Sequence, residues 1–316
     1  MKDISLDRIR EARRLISPYV HRTPTFSSRY LSSRTGTEVV LKAELFQKTG
    51  SFKPRGAMNK LLHFSDDEKA RGVVTVSAGN HAAAVAYATS IQKLSCVVVM
   101  PSSAPRNKIE ATRGYGATVI LHDDMRTIFD RVDQVRREHN ATLLHPFDDP
   151  DVIAGHGTLG LEIYEDVPDA DTVVVGIGGG GVISGVATAL KQLNPAVRII
   201  GVEPIGAPTM TRALQEGKSV RLEKIDTVAD GLAAPYAGER NLEIVRQCVD
   251  DVVLVTDEEM IDAVKLLMER AKLFVEPAGA AGTAALISGK VHNPGKKTVL
   301  VLTGGNLSLD RLKSWL

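Results

Sequence analysis

The sequence predicts an α/β protein built on doubly wound, open and mostly parallel sheets. From about residue 73 onward, short β-branched runs alternate with longer segments of helical period, which is the pattern of βαβ units. Glycine-rich or small polar turns follow several of these runs, as they do where parallel strands end beside helices. A chain of 316 residues is long enough to form two such units.

Seven runs have the length and composition of buried parallel strands. They are Val73–Val76, Ser95–Met100, Thr118–Leu121, Thr172–Val175, Arg198–Val202, Val252–Val255 and Thr298–Leu302. Six intervening segments have the period of helices. They are Asn80–Ile91, Asn107–Arg113, Thr127–Glu138, Val182–Leu193, Glu258–Ala271 and Ala280–Ser288. Pro105 and Asp257 stand near two of the predicted helix starts, where proline and acidic residues are favoured.

Two prolines interrupt this alternation in residues 145–150 (His-Pro-Phe-Asp-Asp-Pro). Residues that precede proline are disfavoured in helical conformation, so we expect the chain to cross between two domains there. We predict a large domain formed by residues 1–71 and 149–316, and a small domain formed by residues 72–148. The sequence contains no fixed-period repeat or low-complexity linker that favours another arrangement.

The composition disfavours several classes of partner. The 39 basic residues nearly balance the 38 acidic ones, so no excess charge favours nucleic acid or an anionic membrane. Cys96 and Cys248 lie far apart and outside any CxxC pattern, so neither a disulfide framework nor a zinc site is expected. No run approaches the roughly 18 apolar residues of a membrane-spanning helix. We expect a cytoplasmic protein with a small-molecule partner.

Four consecutive glycines stand between a predicted strand and a predicted helix. They are Gly178, Gly179, Gly180 and Gly181, and Val182 follows them. Glycine lets the backbone approach an oxyanion closely, and the N–H groups of a helix start point at it. The turn therefore predicts a phosphate site, a tight turn being the alternative. It lacks the Lys-Ser/Thr ending of a P-loop and the GxGxxG spacing of a dinucleotide fold, so the phosphate belongs to another ligand.

Three further segments are weak signals when each is taken alone. Lys53 is flanked by an aromatic residue, a proline and glycines, yet a lone lysine is usually a surface cation. The segment Ser77–His81 again joins a strand to a helix, and a helix cap would explain it. Thr303 begins a third polar turn at the end of the last strand. Because such turns meet at one edge of a parallel sheet, the three segments and the glycines together predict a pyridoxal phosphate pocket.

These segments resemble, in order and spacing, the serine/threonine dehydratase and serine racemase family, which consists of pyridoxal phosphate enzymes of the tryptophan synthase β-type fold (fold type II). The matching segments are residues 51–57 (Ser-Phe-Lys-Pro-Arg-Gly-Ala), 77–81 (Ser-Ala-Gly-Asn-His), 178–181 (four Gly), 275–280 (Val-Glu-Pro-Ala-Gly-Ala) and 303–306 (Thr-Gly-Gly-Asn). The resemblance implies two doubly wound domains with the cofactor in the crevice between them. It also implies a homodimer or a higher homo-oligomer.

The resemblance implies a role for each cofactor-binding residue. Lys53 would carry the cofactor as a Schiff base, with Phe52 packed beside the ring. Asn80 would hydrogen-bond the phenolate oxygen, and Thr303 would face the pyridine nitrogen, where the family usually has Ser or Cys. Glu276 fits the acidic residue of the family near the cofactor, although a structural ion pair explains it equally well. The phosphate would bind the turn formed by Gly178, Gly179, Gly180, Gly181 and Val182.

The resemblance places the substrate carboxylate in one loop. Its residues are Ser77, Ala78, Gly79, Asn80 and His81. Serine racemases similar to this chain use a serine at the position of Ala78 to exchange a proton on the far face of Cα. Alanine cannot exchange a proton, so we favour β-elimination over racemisation.

We therefore predict dehydration and deamination of L-threonine or L-serine to 2-oxobutanoate or pyruvate and ammonia. A neutral hydroxyl at Thr303 makes the ring a shallower electron sink than a carboxylate would, which favours fast loss of the β-hydroxyl. The alternatives are a 3-hydroxyaspartate ammonia-lyase and a serine racemase. A non-catalytic binding protein would be expected to lose Lys53 or the glycines, and β-replacement enzymes carry a different lysine motif.

A second carboxylate on the substrate would need a second cationic anchor. For 3-hydroxyaspartate, Arg126 is the candidate, and an ordinary surface arginine is the alternative explanation of this residue.

A metal site is the last feature that the resemblance raises. Many members of the family bind a divalent cation through a Glu, a backbone carbonyl and an Asp. Glu203 and Ala207 occupy two of these positions, but Thr209 stands where the Asp would be. Losing an anionic ligand should weaken Mg²⁺ binding, so no metal is predicted.

Overall fold

The computed structural model describes residues 4–124 and 127–316. Within these residues the strands form one sheet of six and one sheet of four. The strands are β1 (Thr25–Ser27), β2 (Glu38–Ala43), β3 (Val73–Val76), β4 (Cys96–Pro101), β5 (Thr118–His122), β6 (Thr142–Leu143), β7 (Thr172–Gly176), β8 (Arg198–Pro204), β9 (Asp251–Val255) and β10 (Lys297–Leu302).

Helices cover the faces of both sheets. They are α1 (Leu6–Ile16), α2 (Arg29–Thr35), α3 (Lys53–Leu62), α4 (Asp66–Arg71), α5 (Asn80–Gln92), α6 (Arg106–Gly114), α7 (Ile128–Glu138), α8 (Pro150–Asp166), α9 (Gly181–Leu193), α10 (Thr209–Glu216), α11 (Glu239–Cys248), α12 (Asp257–Leu266), α13 (Pro277–Ile287) and α14 (Leu309–Lys313). None of the described helices is long and apolar enough to cross a membrane.

The larger sheet has the strand order β1-β2-β10-β7-β8-β9. The pairs from β2 to β9 are parallel, and β1 joins the edge antiparallel to β2. The sequence did not predict β2, because a lysine interrupts its apolar pattern. The Lys42 side chain is fully buried, and its ammonium lies 2.8 Å from Glu162 and 3.0 Å from Asp166. The two carboxylates offset the desolvation of this charge.

The smaller sheet has the order β5-β4-β3-β6, and all of its pairs are parallel. It consists of residues between Val73 and Leu143, with α5, α6 and α7 in the connections. The predicted doubly wound α/β fold is confirmed by both sheets and by the solved structures described below. The division of the chain into a large and a small domain stays a prediction.

Several predicted helix ends were wrong. The segment predicted as helix from Glu258 to Ala271 is α-helical only to Leu266 and continues as a π-helical turn from Leu267 to Ala271. Helix α13 begins at Pro277, three residues before its predicted start, because proline is well suited to the first helical position. Helix α9 begins at Gly181 rather than at Val182.

Close packing of α8 against α9 fixes the position of the α9 N-terminus. A Cβ atom on Gly185 would collide with the carbonyl oxygen of Ile153 in α8 and would lie 2.5 Å from the nitrogen of Gly157. Only glycine therefore allows the two helix axes to come this close. Helix α9 begins at Gly181, shortly after β7 ends at Gly176.

Candidate active site

The turns that follow β3 and β7 open into one cleft, together with Lys53. The cleft contains a cavity of about 170 Å³, which is lined by Lys53, the segment from Ser77 to His81, and Gly179 among others. This is the arrangement expected where the carboxyl ends of parallel strands meet a crevice. The structure thus brings together three of the segments that the sequence singled out.

Lys53 is the first residue of α3, and its side chain is half-buried. Its ammonium donates to the carbonyl oxygen of Pro146 over 3.1 Å and lies 5.0 Å from the centre of the Phe52 ring. Burial lowers the pKa of Lys53 to about 8. At neutral pH the uncharged fraction of this amine, which can act as a nucleophile or a base, is therefore much larger than in an ordinary lysine.

The segment before Lys53 is hydrogen-bonded to the turn after β10. The N–H of Phe52 donates to the carbonyl oxygen of Thr303 over 3.0 Å, and the N–H of Gly305 donates to Gly50 over 2.9 Å. Thr303 is buried, and its hydroxyl donates to the carbonyl oxygen of Ala278 over 3.3 Å. The structure therefore places Thr303 next to Lys53 in space, although 250 residues separate them in the chain.

The four glycines form a tight turn whose shape other residues could not adopt. Gly180 has φ +96°, in the left-handed region, and a Cβ atom there would lie 2.7 Å from Cβ of Asn241. A Cβ atom on Gly179 would collide with the ring of Phe147. Both glycines are required by backbone conformation and by close approach.

The backbone donors of this turn are free to bind an anion. Within the described ranges 4–124 and 127–316, no acceptor receives the N–H groups of Gly178, Gly179, Gly180, Gly181 or Val182. These groups precede and open the 13-residue helix α9, whose dipole favours negative charge at this end. Free N–H groups at a helix N-terminus are suited to binding an anion such as phosphate.

A second set of free donors lies in the loop from Ser77 to His81. Ser77 Oγ accepts the N–H of Gly79 over 3.0 Å, whereas the N–H groups of Ala78, Asn80 and His81 have no acceptor in the described part of the chain. Helix α5 begins at Asn80 without a side-chain cap. This helix start can bind a carboxylate.

The imidazole of His81 points to Thr75 and is not one of the anion-binding groups of this loop. It is buried, and its Nε2 atom lies 3.1 Å from the hydroxyl of Thr75 in β3. Burial holds the pKa of His81 well below its usual range, so the ring is neutral at pH 7. Only the backbone of His81 can contact an anion in the loop.

Asn80 is held by hydrogen bonds on both sides of its amide. Its nitrogen donates to Oε1 of Glu276, and its oxygen accepts from the amide of Asn306 over 2.8 Å. The second carboxylate oxygen of Glu276 lies 3.3 Å from the ammonium of Lys108. Glu276 thus forms an ion pair, which is one of the two explanations that the sequence left open.

The sequence did not identify several residues of the cleft. Lys108, Phe129, Phe147 and Asp230 all line the cavity. Lys108 follows β4 at the same sheet edge as Ser77, which is a signal that the sequence carried. Asp230 lies in a 3-10 turn, Asp230–Leu232, and only the tertiary structure brings it to the cleft.

The metal candidates are engaged in capping a helix. Glu203 is buried, and its carboxylate accepts hydrogen bonds from Thr209 Oγ1 (3.1 Å), Met210 N (2.6 Å), Thr211 N (2.9 Å) and Thr211 Oγ1 (2.7 Å) at the start of α10. Burial raises the pKa of Glu203. No group of three His, Cys, Asp or Glu side chains within the described residues is placed to hold a metal. The proposed anchor Arg126 lies outside these residues.

Comparison with known proteins gives concordant results. A family model described as pyridoxal-phosphate dependent enzyme matches residues 16–304. The chain is 46% identical over 313 residues to an L-threonine ammonia-lyase of Thermotoga maritima, and the alignment covers 98% of this chain and 77% of that protein. A maize serine racemase structure matches with a TM-score of 0.94, 40% identity and coverage of 98% and 96% of the two chains. The structure of a threonine deaminase from T.th. matches with a TM-score of 0.91, 40% identity and coverage of 96% and 99%.

Proposed function

Because this chain belongs to the family of pyridoxal-phosphate dependent enzymes, we propose that it is an ammonia-lyase acting on L-threonine and L-serine. It would eliminate the β-hydroxyl as water, and hydrolysis of the resulting enamine would release ammonia and 2-oxobutanoate or pyruvate. The observation that carries this proposal is one cleft that contains the half-buried Lys53 together with two sets of free backbone donors. Relatives named L-threonine ammonia-lyase and threonine deaminase support it.

The residues of the cleft fit the cofactor. The free N–H groups of Gly178 to Val182 would hold its phosphate, and the pKa of Lys53, about 8, leaves an amine able to attack its aldehyde. We propose that Phe52 packs beside the ring and that Asn80 and Thr303 hydrogen-bond its polar edge. When bound, pyridoxal phosphate supplies an electron sink for the bond broken at Cα of the amino acid.

Residues of the chain would bind the substrate carboxylate and would transfer the proton of Cα. The N–H groups of Ala78, Asn80 and His81 would orient the carboxylate at the start of α5. The amine of Lys53, once free of the cofactor, would take the proton from Cα. The same nitrogen, now an ammonium, would return a proton to the departing β-hydroxyl, which leaves as water.

The cavity lining favours a small apolar substituent. It includes the apolar residues Val76, Pro101, Ile128, Phe129 and Pro235. These side chains suit the methyl group of threonine better than a second carboxylate. Among the described lining residues, the cations are Lys53 and Lys108, and Lys108 already pairs with Glu276. We therefore propose L-threonine as a substrate ahead of 3-hydroxyaspartate.

Racemisation of serine is the second candidate, because the structure of a maize serine racemase matches almost the whole chain. It requires a proton donor on the face of Cα opposite Lys53. Ala78 occupies the loop at that face in our assignment and has no proton to give. This is the reason for ranking elimination first.

We also propose that the protein is cytoplasmic. Cys96 and Cys248 are both free and buried, which agrees with a reducing compartment such as the cytoplasm.

We further propose that the protein forms a homo-oligomer. The exposed ring of Phe46 lies 6.0 Å from the ring of Phe26 in the edge strand β1, and such exposed aromatic side chains agree with an interface between copies of the chain. Light scattering of the purified holoenzyme tests the assembly.

A substrate panel tests the reaction. The holoenzyme is incubated with L-serine, L-threonine and both diastereomers of 3-hydroxyaspartate, and keto acid and D-serine are measured in parallel. We expect 2-oxobutanoate from L-threonine and pyruvate from L-serine. A yield of D-serine comparable to that of pyruvate would rank racemisation above elimination. If only 3-hydroxyaspartate released a keto acid, it would replace L-threonine as the proposed substrate.

A further inference from the structure

Lys108 is a buried cation that crosses the cleft. It belongs to α6, which follows β4 of the four-stranded sheet, and its side chain is 7% exposed. Its ammonium lies 3.3 Å from Glu276, at the start of α13, and 3.6 Å from Asp230. Both carboxylates belong to segments that pack with the six-stranded sheet. One side chain therefore connects the two sheets across the cavity.

The stem of Lys108 also packs against the loop that would hold the substrate. A Cβ atom on Gly79 would collide with Cδ of Lys108 and would lie 3.3 Å from its ammonium nitrogen. The aliphatic stem thus covers the backbone of Gly79, between Ala78 and Asn80. The absence of a side chain at Gly79 is what lets the lysine reach Glu276.

Glu276 depends on Lys108 more than Asp230 does. Asp230 also receives two hydrogen bonds of 2.9 Å from the guanidinium of Arg311. Glu276 is 3% exposed, and its described partners are Lys108 and the amide of Asn80. Removing Lys108 would leave a buried carboxylate without its cation, which is strongly unfavourable. The Glu276 side chain would then have to turn away or draw in water.

We propose that Lys108 is a positioning residue for the cleft, an inference that rests on the proposed function. Its ammonium holds Glu276 against Asn80, and its stem holds the loop from Ser77 to His81 in place. Together these contacts keep α6 closed over the cavity and keep the loop N–H groups aimed at the substrate carboxylate. Lys108 itself takes no proton in the reaction.

Three variants of the holoenzyme test this role. Lys108→Met removes the ammonium and keeps an unbranched stem, and Lys108→Arg retains a cation. Arg106→Gln is the matched control, because Arg106 lies on the same helix, is exposed and pairs with exposed Glu110 over 2.6 Å. The measurements are kcat and KM for L-threonine, the absorbance band of the bound cofactor, and hydrogen exchange of peptides from residues 77–82 and from α12.

For Lys108→Met we expect kcat to fall at least tenfold, with exchange of residues 77–82 at least tenfold faster and α12 unchanged. Lys108→Arg should recover part of the activity, and Arg106→Gln should match the wild type. Activity within twofold of the wild type together with unchanged exchange in Lys108→Met would overturn the proposal. Faster exchange everywhere, including α12, would also overturn it, because it would indicate a general loss of stability.

Two provisions keep the result decisive. If Lys108→Met does not fold, Lys108→Gln is judged by the same measurements, since it keeps a donor without the charge. If the wild type itself releases no keto acid from L-threonine, the proposed function has failed. In that case the exchange of residues 77–82 and the cofactor absorbance still decide the role of Lys108.

Discussion

The N–H of Phe52 donates to the carbonyl oxygen of Thr303 over 3.0 Å, and this bond ties the residue before Lys53 to the end of β10. Strand β10 lies next to β7, whose end leads into the four glycines. Lys53, Thr303 and the glycine turn are therefore held by the neighbouring parallel strands β10 and β7. Backbone hydrogen bonds hold this side of the cleft in place, as a site that orients a cofactor requires.

Covalent attachment of the cofactor should depend on pH through Lys53. With a pKa of about 8, about a quarter of the amine is neutral at pH 7.5, against about one part in a thousand for an ordinary lysine. Only the neutral amine attacks an aldehyde, so the attachment rate should rise with pH and level off above about pH 8. Stopped-flow absorbance of the cofactor-free protein measures this rate. A rate that keeps rising to pH 10 would contradict the lowered pKa.

Gly180→Ala should weaken binding of the cofactor phosphate. An alanine at φ +96° is strained by about 1–2 kcal/mol, and its Cβ would press on Asn241. The turn would shift its N–H groups, and we expect the Kd for the cofactor to rise about tenfold or more. Gly36→Ala is the control, because Gly36 has φ +73° and no atom within 4 Å of an added Cβ. It also precedes the start of β2, at the opposite end of the parallel sheet from the glycine turn. An equal loss of affinity in both variants would argue against the phosphate site.

Ala78→Ser should introduce racemisation. Under the proposed assignment, the variant would place a hydroxyl on the face of Cα opposite Lys53, where it could exchange a proton with Cα. We expect D-serine to form from L-serine in the variant, with keto acid release reduced but still present. Chiral chromatography of the product mixture measures both outcomes. If the wild type formed D-serine as fast as Ala78→Ser does, a group other than residue 78 would have to supply the proton.

Much of the site could be predicted because its signals are local. The four glycines between β7 and α9 and the segment Ser77–His81 after β3 were found from the positions of turns after apolar strands. The apolar strands themselves were predicted to within one or two residues. Such features depend on backbone geometry, which the neighbouring residues determine.

The remaining parts depend on tertiary contacts that no local pattern contains. Strand β2 includes buried Lys42, which is tolerated only because Glu162 and Asp166 approach it from α8. In the sequence, Lys108 resembles an ordinary helix lysine, because its partner Glu276 lies 168 residues away. The short strand β6 has two residues, Thr142 and Leu143, which are too few for a periodic signal.

The central claim is that this chain uses Lys53 to eliminate water from L-threonine, after which hydrolysis of the product releases ammonia and 2-oxobutanoate. The most direct test is the release of 2-oxobutanoate from L-threonine by the holoenzyme and by Lys53→Ala. Lys48→Ala is the control, because Lys48 is not among the described residues that line the cavity. We expect release by the wild type and by Lys48→Ala, and a loss of about a hundredfold to ten-thousandfold in Lys53→Ala, the range for removing a general base. Release by Lys53→Ala at the wild-type rate, or no release by the wild type, would contradict the claim.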